Sequence, residues 1–312
     1  MLKVLLHSAF ALTAKRVCEQ LRYGSPDVFK RRAHVGNDQI AQVINARQPA
    51  AIGKIGDAEL LAVRAYLRCR ASRDCECKTA HYRKVLGRGP GVFPEDYGTF
   101  AKWGEYWSRE VLPCMSHLGA WFNFNESWIV RTRAKNARVF HSYGLEPYIF
   151  PNPWSSSLAG KKVVVVSPFS KTIERQYPSR ARIWCRNRKV LPEFELRTLQ
   201  CPPHALLVKP LFADWFEALE DMRRRIRQAD FDVLLVGAGA YSLPLCVYAK
   251  SLGKVGIHLG GNTQLLFGIL CKRWLVRNAS IDHRFFNDSW IYPLPEETPE
   301  NCAKIEGGCY WK

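Results

Sequence analysis

Four consecutive valines, Val163 to Val166, framed by Lys161-Lys162 and Ser167-Pro168, constrain this chain more than any other feature. A β-branched run with no polar position has no face to offer water. It reads as a strand buried on both sides, the signature of a parallel sheet covered by helices. Asp232-Val-Leu-Leu-Val-Gly237 and Lys254-Val-Gly-Ile-His-Leu259 repeat the pattern. Ala50 to Gly56, Leu118 to Phe122 and Phe194 to Leu199 supply shorter strand candidates. Helical spacing fills the intervals: Leu60 to Leu67, Phe100 to Val111, Glu126 to Val130, Pro168 to Tyr177, Trp215 to Gln228, and a helix through Leu245, Val247 and Ala249. Alternating strands and helices predict an α/β fold with a Rossmann-like, mostly parallel sheet.

The first fifty residues read as helices broken at Gly24-Ser25-Pro26, so residues 1–49 are expected as an N-terminal helical segment and 50–312 as the α/β domain. Proline and serine between Pro147 and Leu158 mark a candidate internal boundary near 147–160. Between Cys69 and Tyr97 periodicity dissolves into glycine, proline, cysteine and charge, which predicts a long loop. Met1 to Ala14 reads as a first amphipathic helix and not as a cleaved signal, because His7 interrupts the apolar stretch. No run approaches the ~20 apolar residues of a membrane span.

Lys and Arg number 46 against 28 Asp and Glu, a formal charge of +18, which points to an anionic partner. The basic residues fall in separate clusters at 30–32, 131–138, 180–189 and 223–227, interleaved with apolar positions. That pattern suits folded faces better than a nucleic-acid arm, and no helix-turn-helix, zinc-finger or RNA-binding signature accompanies it. Nucleic acid is therefore the disfavoured alternative. Eleven scattered cysteines, an odd number, fit reduced thiols in a cytoplasm. Cys69, Cys75, Cys77 and His81 match no standard zinc spacing.

Ligands of parallel sheets gather at the carboxyl ends of strands. Four segments stand there: Gly56-Asp57-Ala-Glu59, Ser167-Pro168-Phe169, Gly237-Ala-Gly239-Ala-Tyr241, and Gly260-Gly261-Asn262-Thr-Gln264. Asp57 and Glu59, at a strand-to-helix turn, offer two hard oxygens to a divalent ion, or else simply favour the helix's positive end. Gly237 to Tyr241 opens a helix after a strand, as phosphate cradles do, but Ser242 replaces the third glycine of the dinucleotide fingerprint and no acidic ribose partner follows. His258 reads as a core histidine, and Trp103, Tyr106, Trp107, Trp121 and Phe122 mostly as core aromatics.

Gly53-Lys-Ile-Gly-Asp-Ala-Glu59, together with Pro151-Asn-Pro-Trp154, Val163-Val-Val-Val-Ser-Pro-Phe169, Val236-Gly-Ala-Gly239 and His258-Leu-Gly-Gly-Asn-Thr-Gln-Leu-Leu-Phe-Gly268, resembles the GT-D fold glycosyltransferases of bacterial polysaccharide loci. Lys272-Arg-Trp274 and the closing Glu306-Gly-Gly-Cys-Tyr-Trp311 extend the likeness, which begins near residue 50. The resemblance implies a metal-dependent transferase with Mn²⁺ or Mg²⁺ on Asp57 and Glu59. It further implies a nucleotide-diphosphate sugar, of the UDP type first, held by Gly56 and the three later segments. The acceptor would be a glycan or lipid-linked glycan. Glu174 and Asp96 are the candidate bases if the reaction inverts. The basic clusters would meet an anionic lipid carrier or the inner face of a membrane. A catalytically inactive nucleotide-sugar-binding scaffold is the other alternative.

Overall fold

The computed structural model describes residues 27–276 and 285–312, together with 14 and 17–19; of 27–32 only the backbone is described. The first predicted helix and its possible membrane or signal role lie largely outside the described residues.

Seven strands form one sheet in the order β3-β2-β1-β7-β6-β4-β5. They are β1 Ala50–Gly53, β2 His117–Ala120, β3 Arg138–His141, β4 Lys162–Ser167, β5 Glu195–Gln200, β6 Val233–Val236 and β7 Val255–His258. Every pairing is parallel. The register sets Val166 beside Val236, Val236 beside His258, and Ile52 beside Ile257.

Alternation along the central strands explains the valine run. Val164, Val166, Leu234, Val236 and Ala51 point into one apolar layer, while Val163, Val165, Val233, Leu235 and Ile52 point into the other. The first layer is covered by α2 (Asp57–Cys69), α3 (Cys75–Arg88), α4 (Tyr97–Tyr106), α7 (Trp215–Arg227) and α8 (Ser242–Ser251). The second is covered by α1 (Asp27–Asn45), α6 (Ser170–Gln176), α9 (Asn262–Leu266) and the C-terminal segment ending in Trp311. A further helix, α5 (Glu126–Arg133), joins β2 to β3.

One expectation changes and two features are added. The interval from Cys69 to Tyr97 is not a long loop, because α3 occupies Cys75–Arg88. Its buried face is sparse, Cys75, Thr79, Leu86 and Gly87, so no apolar stripe announced it. Cys75 is buried and Cys77 exposed on that helix. The strand β3 escaped notice because it is four residues long and sits at the sheet edge with only Phe140 and His141 buried. Finally, α1 is integral to the α/β body: Ile40, Val43 and Ile44 share a core with Ile52, Val163 and Val255. The 147–158 segment carries the chain across one continuous sheet, from β3 at one edge to β4 near the other.

Leu235 is fully buried in β6. Leu235→Ala is expected to cost about 2–5 kcal/mol of unfolding free energy through lost burial and a residual cavity. Urea denaturation measures it; a loss below about 1 kcal/mol would contradict a fully covered central strand.

Candidate functional site at the carboxyl edge of the sheet

The connections leaving β1 and β7 diverge. The chain leaves β1 for α2 on the first layer and leaves β7 for α9 on the second, although the two strands are hydrogen-bonded neighbours. A gap opens where adjacent connections part, and in open α/β sheets ligands bind there. Lys54 follows β1, Trp121 follows β2, His258 ends β7, and Gly260 to Asn262 lead from β7 into α9.

Lys54 is only 9% exposed. Its ammonium lies 4.7 Å from the centre of the Trp121 ring. Burial, reinforced by Arg273 and opposed by Glu146, lowers its pKa to about 8. His258 stands beside it: a Cβ on Gly260 would lie 3.2 Å from the His258 Cε1 and 4.0 Å from the Lys54 Cε. Burial and Lys54 press the imidazole down to about 3, so it is neutral in the physiological range. The residue expected as plain core thus borders the gap.

Asp57 and Glu59 occupy the first turn of α2, whose N-cap is Gly56. Asp57 is exposed and accepts a hydrogen bond from the Asn123 amide. Glu59 is buried and folds back over Gly56, where a Cβ would collide with its carboxyl oxygen. Burial raises its pKa to about 7, and the charges of Asp57 and Glu306 push the same way. Asp57 is therefore not the side-chain cap of its helix, and its charge opposes ionisation of Glu59.

Glu126 fixes the loop that carries Trp121 and Asn123. Its buried carboxylate accepts from the Trp121 amide at 3.1 Å and the Asn123 amide at 3.0 Å. The backbone bends sharply here, with Phe122 at φ 62° and Asn125 at φ 67°. On the opposite side, Arg273 donates to the Tyr310 hydroxyl at 2.8 Å and lies 3.8 Å from Glu306. Gln264 donates to the Tyr310 carbonyl at 2.9 Å, tying the C-terminal segment to α9.

Other residues expected at the site are engaged in the fold. Ser167 Oγ accepts from the Phe169 amide at 3.1 Å, and Phe169 packs edge-on against Trp311. Pro168, between them, is half-buried. The Gly237 segment spends its amides internally: Gly237 donates to Val166, Ala238 to Ser242 Oγ, Ala240 to Pro90 and Tyr241 to Ala238. Tyr241 is buried and stacked on Trp215. Gly237 serves close approach, since a Cβ there would meet Thr263 Oγ1 at 2.5 Å and the Gly260 carbonyl at 2.7 Å. Asp96 caps α4 through the Thr99 amide at 2.8 Å. Glu174 accepts from Thr198 of β5, three strands from β7 or about 14 Å at ~4.8 Å per strand.

A cleft of about 350 Å³ lies at the amino edge among Gln39, Gln42, His117, Arg138 and Lys250. His117 and Arg138 are the first residues of β2 and β3. Burial, Arg138 and Lys250 lower the His117 pKa to about 4. This cleft faces away from the strand ends where helix and loop amides converge, and the carboxyl edge holds the titrating cluster.

No family model, curated protein or solved structure matches the chain. The sequence pointed to Asp57, Glu59, Gly260, Gly261 and Asn262 by their place after strands and to Trp121 only as one of a set of aromatics, and it gave Lys54, Glu126, Glu146 and Arg273 no role of their own. A lysine directly after a short strand and before Asp57 was the signal available for Lys54.

Lys54 and Glu146 are buried charges without an ion pair between them among the described residues. Lys54→Met with Glu146→Gln is expected to match or exceed wild-type stability at pH 7, by up to about 1–4 kcal/mol. In the wild type the folded lysine loses its proton near 8 and the unfolded one near 10.5, so stability rises with pH across that window. The gap between variant and wild type should therefore narrow from pH 8 to 10.5. A gap constant with pH in denaturant titrations would show that the ammonium is not desolvated.

Proposed function

We propose that the protein transfers a glycosyl group from a nucleoside-diphosphate sugar to a hydroxyl acceptor, with the diphosphate seated at the β1–β7 switch point. The observation that carries this reading is the acidic pair Asp57 and Glu59 on the first turn after β1, beside Glu306, whose charge Glu59 feels and which lies 3.8 Å from Arg273.

The donor set suits a divalent cation of the Mg²⁺ or Mn²⁺ kind. Such ions take one or two carboxylates and complete their shell with phosphate oxygens and water, in place of an all-protein cage. Among the described residues no group of three or more His, Cys, Asp or Glu forms such a cage, and the pair offers two hard oxygens whose repulsion a cation would reverse. Asp57 and Glu59 would hold the ion, which when bound supplies charge neutralisation for the diphosphate.

The chain's own residues act around that centre. Asn123 orients Asp57, and Glu126 keeps Asn123 and Trp121 in place. Arg273 adds positive potential where the leaving diphosphate develops charge as the acceptor hydroxyl attacks the anomeric carbon. Asp96 caps its helix through Thr99 and Glu174 bonds Thr198, so both carboxylates are engaged in the fold. The acceptor is taken to be a glycan or lipid-linked glycan. Arg182, Arg186, Arg188 and Lys189 are exposed and suit an anionic carrier or the inner face of a membrane. No helix among the described residues is long and apolar enough to cross a membrane.

Thermal unfolding with a panel of nucleoside diphosphates, with and without Mn²⁺, tests the reading. One nucleotide should stabilise the protein only when Mn²⁺ is present, by about 2.7 kcal/mol at a hundred times Kd. Asp57→Ala should abolish the response. If no nucleotide stabilises the wild type under either condition, the transferase reading falls.

A further inference from the structure

Glu146 lies after β3 and is 4% exposed, facing the gap that Lys54 enters from β1. Each feels the other's charge, yet they form no ion pair. Among the described residues the Lys54 ammonium makes no hydrogen bond; its polar environment is the Trp121 ring at 4.7 Å. Glu146 receives one long hydrogen bond, 3.4 Å, from the Asn262 amide at Oε1. Burial raises the Glu146 pKa, opposed by Lys54, the Tyr148 hydroxyl and Asn262, and its Oε2 completes no hydrogen bond. Buried polar groups left short of partners in a native fold need an explanation.

The two groups have complementary unspent capacity. Lys54 offers donors and no acceptor; Glu146, ionised, offers acceptors and no donor. A phosphate or carboxylate between them would satisfy Lys54 and be repelled by Glu146. An ammonium would suffer the reverse. A hydroxyl accepts from one and donates to the other, and neighbouring hydroxyls on a ring do this in pairs. A side chain at Gly260 would crowd this place, since a Cβ there would stand 3.2 Å from the His258 ring and 4.0 Å from the Lys54 stem. Trp121, half-buried and fixed by Glu126, borders it with an aromatic surface.

We propose that Lys54 and Glu146 form a hydroxyl-reading subsite for a polyhydroxylated ring, with Asn262 holding the Glu146 carboxylate and Trp121 walling the pocket. The assignment rests on the transferase reading, in which the ring is the donor sugar, and it separates two tasks at the switch point. Asp57 and Glu59 face the diphosphate; Lys54 and Glu146 face the sugar.

The test compares each nucleoside diphosphate with its sugar conjugates in one protein: UDP against UDP-glucose and UDP-N-acetylglucosamine, and GDP against GDP-mannose, all with Mn²⁺. Calorimetric titration of wild type, Lys54→Met, Glu146→Gln and the double variant gives the affinities. Wild type should bind one sugar conjugate more tightly than the bare diphosphate. The variants should keep the affinity for the bare diphosphate within about twofold and lose about tenfold or more of the conjugate's advantage. Because the bare diphosphate reports a folded site in every variant, loss of fold is distinguished from loss of the subsite. Should the sugar's advantage survive in the double variant, the subsite is wrong. Should Lys54→Met weaken the bare diphosphate equally, Lys54 serves phosphate and the assignment is also wrong. Should wild type bind no nucleotide at all, the transferase reading fails first and this inference goes with it.

Discussion

A sheet whose middle strands have no wet face sets the terms for everything else in this molecule. Val163 to Val166 and Val233 to Val236 send alternate side chains into opposite apolar layers, so helices must cover both sides. Covering both sides from one chain requires the connections to change direction somewhere along the sheet. At β1 and β7 the connections part, and Lys54 and His258 stand together at those strand ends with Arg273 near enough to act on Lys54. The site's location thus follows from the hydrophobic requirement of strands that take no part in it.

Charge at that gap is arranged by burial as much as by pairing. Glu59 is pushed up to about 7 and Lys54 down to about 8, both by loss of water before any neighbour is considered. A folded protein tolerates such groups when a partner or ligand offsets the cost. The supports around them hold more hydrogen bonds: Glu126, itself pushed up to about 7 by burial, on its loop amides, Glu297 on the amides of Lys171 and Thr172, and Arg273 on Tyr310. Rigid scaffolding around under-partnered charge is the arrangement that lets a site bind without first paying to order itself.

Much of this architecture was legible in the sequence because it rests on simple periodicities. A run of valines can only be a doubly buried strand, and Asp57 to Leu67 shows its helical face within a few residues. The helix α3 was not legible, since Cys75, Thr79, Leu86 and Gly87 make a buried face too polar and too small to stand out. For the site, position after a strand singled out Asp57, Glu59 and the Gly260 segment as candidates. It overstated Gly237 to Tyr241, where the backbone amides close turns and Tyr241 stacks on Trp215. It missed Glu146 because that residue lies in a stretch of short 3₁₀ turns after an edge strand, and its nearness to Lys54 is a fact of three dimensions only.

The strand β7 sits between β1 and β6, yet the chain reaches it after every other strand. A nascent polypeptide emerging from the ribosome therefore holds two half-sheets with valine-rich and alanine-rich edges and nothing to join them. Each exposed edge is a template for pairing with another chain. Folding in the cell must then keep two competent halves apart from their neighbours until the strand that welds them has been made.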